Sequence, residues 1–295
     1  MNLEGRREST NYEDRRGMSG GMKMGLGGGG IGLILLLVLS MCQGGDMTQL
    51  GGVLGDMMQQ TQQNVTTEGE QQFSEEEEAL KAFSLKVLAG TEDVWTQIFE
   101  EEGLGTYTAP KLVFYTGSTS TGCGQGQSAM GPFYCSADQC LYIDLSFFTS
   151  MKQQLGADGD FAYAYVIAHE VGHHVEYLTG TLGKVHQKMS QYGQNSAQSN
   201  ALSVRLELLA DFYAGVWAHH DDAQYRSLED GDLEEAIDCA QKIGDDYLQK
   251  RARGVAVPES FTHGTSAQRM KWLKLGLQTG DYRRGNTFEV SASQL

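Results

Sequence analysis

The sequence predicts a mainly helical α+β domain with a small β-sheet, preceded by one transmembrane helix. Apolar residues recur at helical intervals in several segments, which predicts the helices. Two short apolar runs beside Gly- and Ser-rich stretches have the character of strands. An uncharged stretch near the N-terminus has about the length of a membrane span. A chain of 295 residues is long enough for one such domain with accessory segments.

The chain before residue 74 divides into three segments of different composition. Residues 24–45 carry no charge and are predicted to form a transmembrane anchor, because a spanning helix needs about 20 residues. The strongly apolar part is short, so a signal peptide or a lipoprotein cleavage site at Cys42 is the alternative. Residues 1–23 are a charged N-terminal segment, and the polar residues 46–73 are a predicted disordered linker. The folded domain is then residues 74–295.

The charges on the two sides of the predicted span indicate its orientation. Five basic residues precede it, namely Arg6, Arg7, Arg15, Arg16 and Lys23. No Lys or Arg follows the span until Lys81. By the positive-inside rule, we expect a single-pass protein of the cell membrane with a cytoplasmic N-terminus and an extracytoplasmic domain.

The overall composition excludes two classes of protein. The net charge is −16, from 38 acidic and 22 basic residues, and no basic stripe offers a surface for nucleic acid. The five cysteines include no C-x-x-C pair, which excludes a thiolate zinc module and a disulfide-dense miniprotein. A metal ion, if the chain binds one, would therefore need His and carboxylate ligands.

Capping residues and periodicity place the elements of the domain. Ser74 begins a capping box, and apolar residues follow it at helical spacing. The segment Phe161–Leu178 is apolar around most of its circumference, which is typical of a helix buried in a core. The predicted elements are helices from Ser74, over Phe161–Leu178, over Leu202–Ala218, from Asp232 and from Ser266, and strands over Lys111–Tyr115 and Leu141–Leu145.

The motif H-E-x-x-H occurs on the buried helix as His169-Glu-Val-Gly-His173. Residues four apart share one helix face, so both imidazoles can reach one ion, while Glu170 can address a water bound to it. Zinc accepts three protein ligands and keeps a fourth position for water. The alternative is a helix with three polar residues on an exposed side. Because the preceding turns are almost wholly apolar, these polar groups enter a core and need partners.

A third ligand is predicted at Glu207 in the element Glu207-Leu-Leu-Ala-Asp211. The two carboxylates lie one helical turn apart, so the first could bind the metal while the second accepts a proton from the far nitrogen of a ligand histidine. An acidic pair on a solvated helix face is the alternative interpretation. The apolar residues around the pair favour the site.

Other histidines compete for the third position. His174 points about 100° away from its neighbour on the helix, and His219 and His220 are expected at a helix end, where a cation complements the dipole. His186 is a further candidate. His263 lies in a loop just before a helix, where it would either stabilise the developing oxyanion or be held by the neighbouring cap.

Several stretches together resemble a known family. They are Glu4–Ser9, Asp14–Gly17, Thr121–Gly124, Gly131–Cys135, His169–His174, Glu207–Asp211 and His263–Arg269. These stretches look like those of the bacterial putative neutral zinc metallopeptidases, and the resemblance runs nearly end to end. The E-x-x-x-D element is also similar to that of the gluzincins, in which the Glu binds zinc. The resemblance implies a zincin-like peptidase domain outside the membrane, after a short basic start and one span.

The combined interpretation is a membrane-anchored zinc metalloendopeptidase that acts on a peptide or protein substrate. Zinc is held by His169, His173 and Glu207, water is activated by Glu170, and a ligand histidine is oriented by Asp211. His263 is the further catalytic candidate. A deformylase-like hydrolase is one alternative, although it needs a cysteine ligand. A catalytically silent envelope scaffold or chaperone with a structural zinc site is another, favoured if a fourth protein ligand closes the site.

The cysteines give the last expectation. Cys123 and Cys135 match positions that the resembled family shares, and they bracket the Gly-rich loop between the predicted strands, so we expect a disulfide between them. Cys140 and Cys239 would then form a second bridge or remain two buried thiols.

Overall fold

A computed structural model describes residues 1–17, 73–193 and 195–295. In chain order, the strands and helices are β1 (Tyr12–Asp14), α1 (Glu75–Glu101), β2 (Lys111–Phe114), β3 (Ser118–Thr121), β4 (Gly124–Gln127), β5 (Phe133–Cys135), β6 (Cys140–Ile143), α2 (Ser146–Ser150), α3 (Asp160–Leu178), α4 (Thr181–Met189), α5 (Ala197–Tyr225), α6 (Asp232–Lys242), α7 (Asp245–Arg253) and α8 (Ser266–Thr279). The predicted span 24–45 lies outside the described residues, as does the predicted linker 46–73 apart from Phe73. The mainly helical α+β fold with a small sheet is confirmed.

The main sheet has four strands in the order β1, β2, β6, β5. Strands β1, β2 and β6 are parallel, with Leu112 paired to Leu141, and β5 runs antiparallel along β6 at one edge. Strands β3 and β4 form a separate antiparallel hairpin. All four residues of β6 are buried, as is usual for a parallel strand covered on both faces. The two predicted strands therefore lie side by side at the centre of the sheet.

Helix α3 crosses the core and is buried along most of its length. Its first turn is held by helix α6, because Glu235 accepts a hydrogen bond from the backbone N–H of Phe161 at 3.2 Å. Helix α5 packs against α3 on one side and against α8 on the other. Phe212 of α5 packs against Trp272 of α8, with the ring centroids 6.1 Å apart. In this arrangement the H-E-x-x-H motif of α3 faces the Glu207–Asp211 element of α5.

Two helices end at other residues than those predicted from the sequence. The helix predicted over Leu202–Ala218 extends to Ala197–Tyr225, so His219 and His220 lie within it and not at its end. The helix predicted from Asp232 stops at Lys242, and a second helix begins at Asp245. The apolar periodicity continues from one helix into the next, so the sequence pattern did not predict the break between them.

Residues 1–17 are part of the domain and not a separate tail. Strand β1 pairs with β2, with Tyr12 opposite Leu112. Arg6 donates two hydrogen bonds to the buried carboxylate of Asp221, at 2.8 and 3.2 Å. Arg16 contacts Glu78 at 2.7 Å. Because residues 1–17 share a sheet with the rest of the domain, both must lie on the same side of any membrane.

The predicted localisation is therefore wrong. It placed the N-terminus in the cytoplasm and the domain outside, which the shared sheet contradicts. Among the residues that the structure describes, none of the helices is both long enough and apolar enough to cross a membrane. The arginines that suggested an orientation instead form ion pairs with carboxylates of the folded domain.

The cysteines of the described residues fall into two groups. The sulfur atoms of Cys123 and Cys135 lie 2.00 Å apart, in a disulfide that joins the β3–β4 turn to β5. Cys140 and Cys239 are buried free thiols, so the second bridge considered for them does not form. The thiol of Cys239 contacts the sulfur of Met151 at 3.7 Å, a soft apolar packing contact. Because Cys123 is bonded to sulfur, it offers no thiolate for a deformylase-like metal site.

Candidate metal centre

Helices α3 and α5 bring three possible metal ligands together. Nε2 of His169 lies 3.2 Å from one carboxylate oxygen of Glu207, and Nε2 of His173 lies 3.6 Å from the other. One donor atom from each of the three residues lies within 4.8 Å of the other two. Both histidines come from adjacent turns of α3, and the carboxylate comes from the facing turn of α5. The residues predicted as metal ligands from the sequence are thus neighbours in space.

The close approach of the two helices depends on Gly172, the residue before His173. A Cβ atom at this position would lie 2.9 Å from both the Cα and the carbonyl oxygen of Ala210 on α5. These are backbone atoms, which cannot swing aside as a flexible side chain would. A glycine inside H-E-x-x-H therefore sets the distance between the histidine helix and the helix that carries Glu207.

We expect Gly172→Ala to push α3 and α5 apart. The added methyl group should destabilise the protein by about 1–3 kcal/mol, as overpacking in a core does, and should weaken zinc binding because Glu207 moves away from the histidines. Urea unfolding and zinc titration would measure the two effects. Gly183→Ala in α4 is the matched control, because a Cβ there meets no atom within 4 Å. Equal stability and zinc affinity in the two variants would contradict this explanation.

A buried polar network holds the far side of His169. Nδ1 of His169 lies 2.8 Å from Oδ1 of Asp211, as expected for a carboxylate that orients a ligand histidine. Arg269 from α8 donates to both oxygens of Asp211, each at 2.8 Å. The hydroxyl of Tyr165 also donates to Asp211, at 2.5 Å. All four side chains are buried, so the network is satisfied within the protein.

Electrostatics in this network favour an ionised Asp211. Burial alone would raise the pKa of its carboxyl, but Arg269 and His169 outweigh burial and lower the pKa to about 2. An ionised carboxylate only accepts hydrogen bonds, so Nδ1 of His169 must carry the proton. In the neutral ring, the form that binds a metal, the lone pair of His169 is then on Nε2, which faces Glu207.

His173 has its own carboxylate partner, which was not predicted from the sequence. Nδ1 of His173 lies 2.9 Å from Oε2 of Glu176, one turn further along α3. Burial lowers the pKa of His173, but the charges of Glu176 and Glu207 outweigh burial and raise it to about 10. The spacing of three residues on one helix face was the available signal for this pair. Arg269 gave no local signal, because it is 58 residues from Asp211 in the chain.

Glu170, the predicted general base, is buried beside the donor atoms but is not among the three residues that could hold a metal. Burial raises the pKa of its carboxyl, and the neighbouring His169 and His173 partly oppose this rise. A carboxyl group with a raised pKa, next to a metal site, can accept a proton and release it again near neutral pH.

His263 lies in the loop before α8 and is held by Asp245. The carboxylate of Asp245 accepts hydrogen bonds from the backbone N–H groups of Thr262, His263 and Gly264, at 2.6–3.0 Å. The side chain of His263 is 48% exposed. Because half of the side chain is exposed, burial opposes its charged form only in part, and the negative charges of Glu207 and Asp245 raise the pKa of the imidazole. Its imidazole is therefore within electrostatic range of the predicted ligand Glu207.

Of the other histidines that were considered, His174 and His219 have structural contacts. His174 is buried, with Nε2 2.6 Å from the carbonyl oxygen of Thr108, and burial lowers its pKa to about 4. Nδ1 of His219 lies 2.8 Å from the carbonyl oxygen of Leu277, in the last turns of α8. His186 is exposed on α4. None of these residues belongs to the donor set among the described residues.

The donor set fits zinc. Two imidazole nitrogens and one carboxylate oxygen form a common ligand set for a catalytic zinc ion. A tetrahedral ion with bonds of about 2.0–2.1 Å separates its ligand atoms by roughly 3.3 Å. The Nε2-to-oxygen distances of 3.2 and 3.6 Å agree with that separation. Because both imidazoles must be unprotonated at Nε2 to bind a metal, zinc binding is coupled to proton release.

Comparison with known proteins also indicates a zinc-binding family. Residues 1–288 match the family described as "Putative neutral zinc metallopeptidase". The chain is 50% identical over 298 aligned residues to the uncharacterized protein YpfJ of Escherichia coli strain K12, covering 99% of this chain and 100% of that protein. It is 40% identical over 195 residues to the uncharacterized protein Mb2605 of Mycobacterium bovis, covering 63% of this chain and 64% of that protein. No solved structure gives a significant match.

Proposed function

This chain belongs to the putative neutral zinc metallopeptidase family, and from that membership we propose that it is a zinc metalloendopeptidase acting on a peptide or protein substrate. The cofactor that the family implies is zinc. The observation that carries the proposal is the convergence of His169, His173 and Glu207 through atoms within 4.8 Å of one another. Glu170 follows His169 directly in the chain and is available as an acid–base group, because it is not one of the three proposed metal ligands.

Different side chains bind the metal and transfer the proton. When bound at His169, His173 and Glu207, zinc supplies a Lewis acid that polarises a carbonyl group and lowers the pKa of a water molecule. Glu170 accepts the proton from the attacking water and returns it to the amine that leaves. This sequence of transfers needs no second acid, because one carboxyl group acts first as base and then as acid.

His263 is the proposed stabiliser of the oxyanion. The Asp245 carboxylate fixes the backbone of its loop through three N–H groups and lies 3.4 Å from Nδ1 of the ring. This contact holds one side of the imidazole, so the Nε2 side is available to donate to a substrate oxygen. The contact with the Asp245 carboxylate favours the protonated form of the ring.

Digestion of casein tests the proposed function. We expect the purified chain to contain about one zinc ion per molecule and to cleave casein. A chelator should abolish cleavage, and added zinc should restore it, because two imidazoles and one carboxylate lose their catalytic role without the ion. Stoichiometric zinc together with no cleavage of casein or of a mixed peptide library would argue against a peptidase. Cleavage that survives complete removal of metal would exclude the zinc mechanism.

A further inference from the structure

Glu176 is a buried carboxylate that the proposed reaction steps do not use. It follows His173 by one turn of α3, and its side chain has no exposed surface. Oε2 lies 2.9 Å from Nδ1 of His173. Oε1 is buried and has no hydrogen-bond partner within the described part of the chain. Burying an acidic group costs free energy unless a partner offsets its charge. The complete burial of Glu176 therefore requires an explanation, and its contact with His173 offers one.

The carboxylates behind the two histidines differ in how their charge is balanced. Asp211, behind His169, is held by two hydrogen bonds from the guanidinium group of Arg269. Glu176, behind His173, forms its one ion pair within the described residues with the imidazole itself. Among the described residues, the carboxylate of Glu176 therefore contacts His173 alone, whereas the carboxylate of Asp211 is shared between His169 and Arg269.

We propose that Glu176 is a positioning residue for zinc, a role that rests on the proposed metal centre. An imidazole that binds a metal through Nε2 carries its proton on Nδ1, and this N–H donates to Oε2 of Glu176. The contact fixes both the tautomer and the ring orientation of His173. The charge of the carboxylate also makes the imidazole a stronger electron donor towards the ion.

The metal affinity of Glu176 variants tests this role directly. We expect Glu176→Ala to weaken zinc binding about 10–100-fold, as loss of such partners does in other zinc proteins. Glu176→Gln should have an intermediate affinity, because its amide oxygen still accepts from Nδ1–H but carries no charge. Competition with a chromophoric chelator measures the dissociation constants. The visible absorption spectrum of the cobalt-substituted protein should shift in the same order, since it reports the geometry of the ligands.

A purely structural role gives a different result. In that case Glu176→Ala and Glu176→Gln would lower the stability of the zinc-free protein while the zinc affinity and the cobalt spectrum stay at parental values. That outcome would overturn the proposal. Glu235→Gln is the matched control, because Glu235 also contacts α3, but at Phe161, three turns before His173. It should retain parental zinc affinity.

The same titration separates this inference from the proposed function. If the parental chain binds no zinc, the metal centre itself is excluded and the role of Glu176 with it. If the parental chain binds zinc and cleaves casein but the Glu176 variants keep parental affinity, only the positioning role is wrong.

Discussion

Replacing Glu170 by Gln is expected to lower peptide hydrolysis about 10²–10⁴-fold while zinc stays bound. Glu170 is not one of the three residues whose donor atoms converge, so its loss leaves the metal ligands in place. The amide of Gln cannot accept and return a proton, which removes the acid–base step. The zinc content and the rate of cleavage of a fluorogenic peptide, measured on the same preparation, would separate binding from chemistry.

Glu234→Gln is the matched control for this variant. Glu234 is exposed on α6, so the same chemical change there should leave hydrolysis at the parental rate. If Glu170→Gln hydrolyses the peptide at nearly the parental rate, Glu170 is not the proton acceptor. If it loses zinc instead, Glu170 has a role in holding the metal that the donor geometry does not indicate.

Replacing Arg269 by Leu is expected to destabilise the protein by about 3–5 kcal/mol, the cost of breaking a buried ion pair by removing one partner. Both side chains are buried, and Arg269 donates two hydrogen bonds to Asp211. Without the guanidinium group, the carboxylate keeps its charge inside the core with only neutral donors and His169. Urea denaturation of the zinc-free protein would give the change in the free energy of unfolding.

A second substitution distinguishes the lost pair from a general packing defect. Asp211→Asn removes the charge that Arg269 offsets, so the double variant should recover part of the stability lost in Arg269→Leu. Strict additivity of the two single effects, or a cost below about 1 kcal/mol for Arg269→Leu, would show that this ion pair does not support the fold.

The candidate ligands could be predicted because their spacing is local. Two histidines four residues apart must share a helix face, and the one-turn spacing of Glu207 and Asp211 gave their relation in the same way. The convergence of α3 and α5 is a tertiary feature, and the sequence offered only the apolar surroundings of both motifs as an argument for it. Gly172 stands inside the motif, yet its contact with Ala210 is visible only in the folded chain.

The partners of the ligands were harder to predict for two physical reasons. Arg269 reaches Asp211 from another helix, and sequence spacing carries no information about such a contact. Glu176 is on the same helix as His173, but an acidic residue at that spacing is ordinarily solvated, so its complete burial was not expected.

The localisation was predicted wrongly because the rule used for it counts charges without their partners. Arg6, Arg7, Arg15 and Arg16 read as a cytoplasmic signature in the sequence. In the structure they pair with carboxylates of α1, α5 and β1. Parallel pairing of β1 with β2 is a long-range contact between segments that are about 100 residues apart, which local patterns do not reveal.

Anomalous diffraction at the zinc absorption edge, from crystals of the full chain grown with zinc, tests the central claim most directly. We expect one strong peak within about 2.0–2.2 Å of Nε2 of His169, Nε2 of His173 and a carboxylate oxygen of Glu207, with the fourth position open to solvent or substrate. A peak at other residues would contradict the proposed metal centre. So would a fourth protein ligand such as His263 bound directly to the ion, because a closed site is structural.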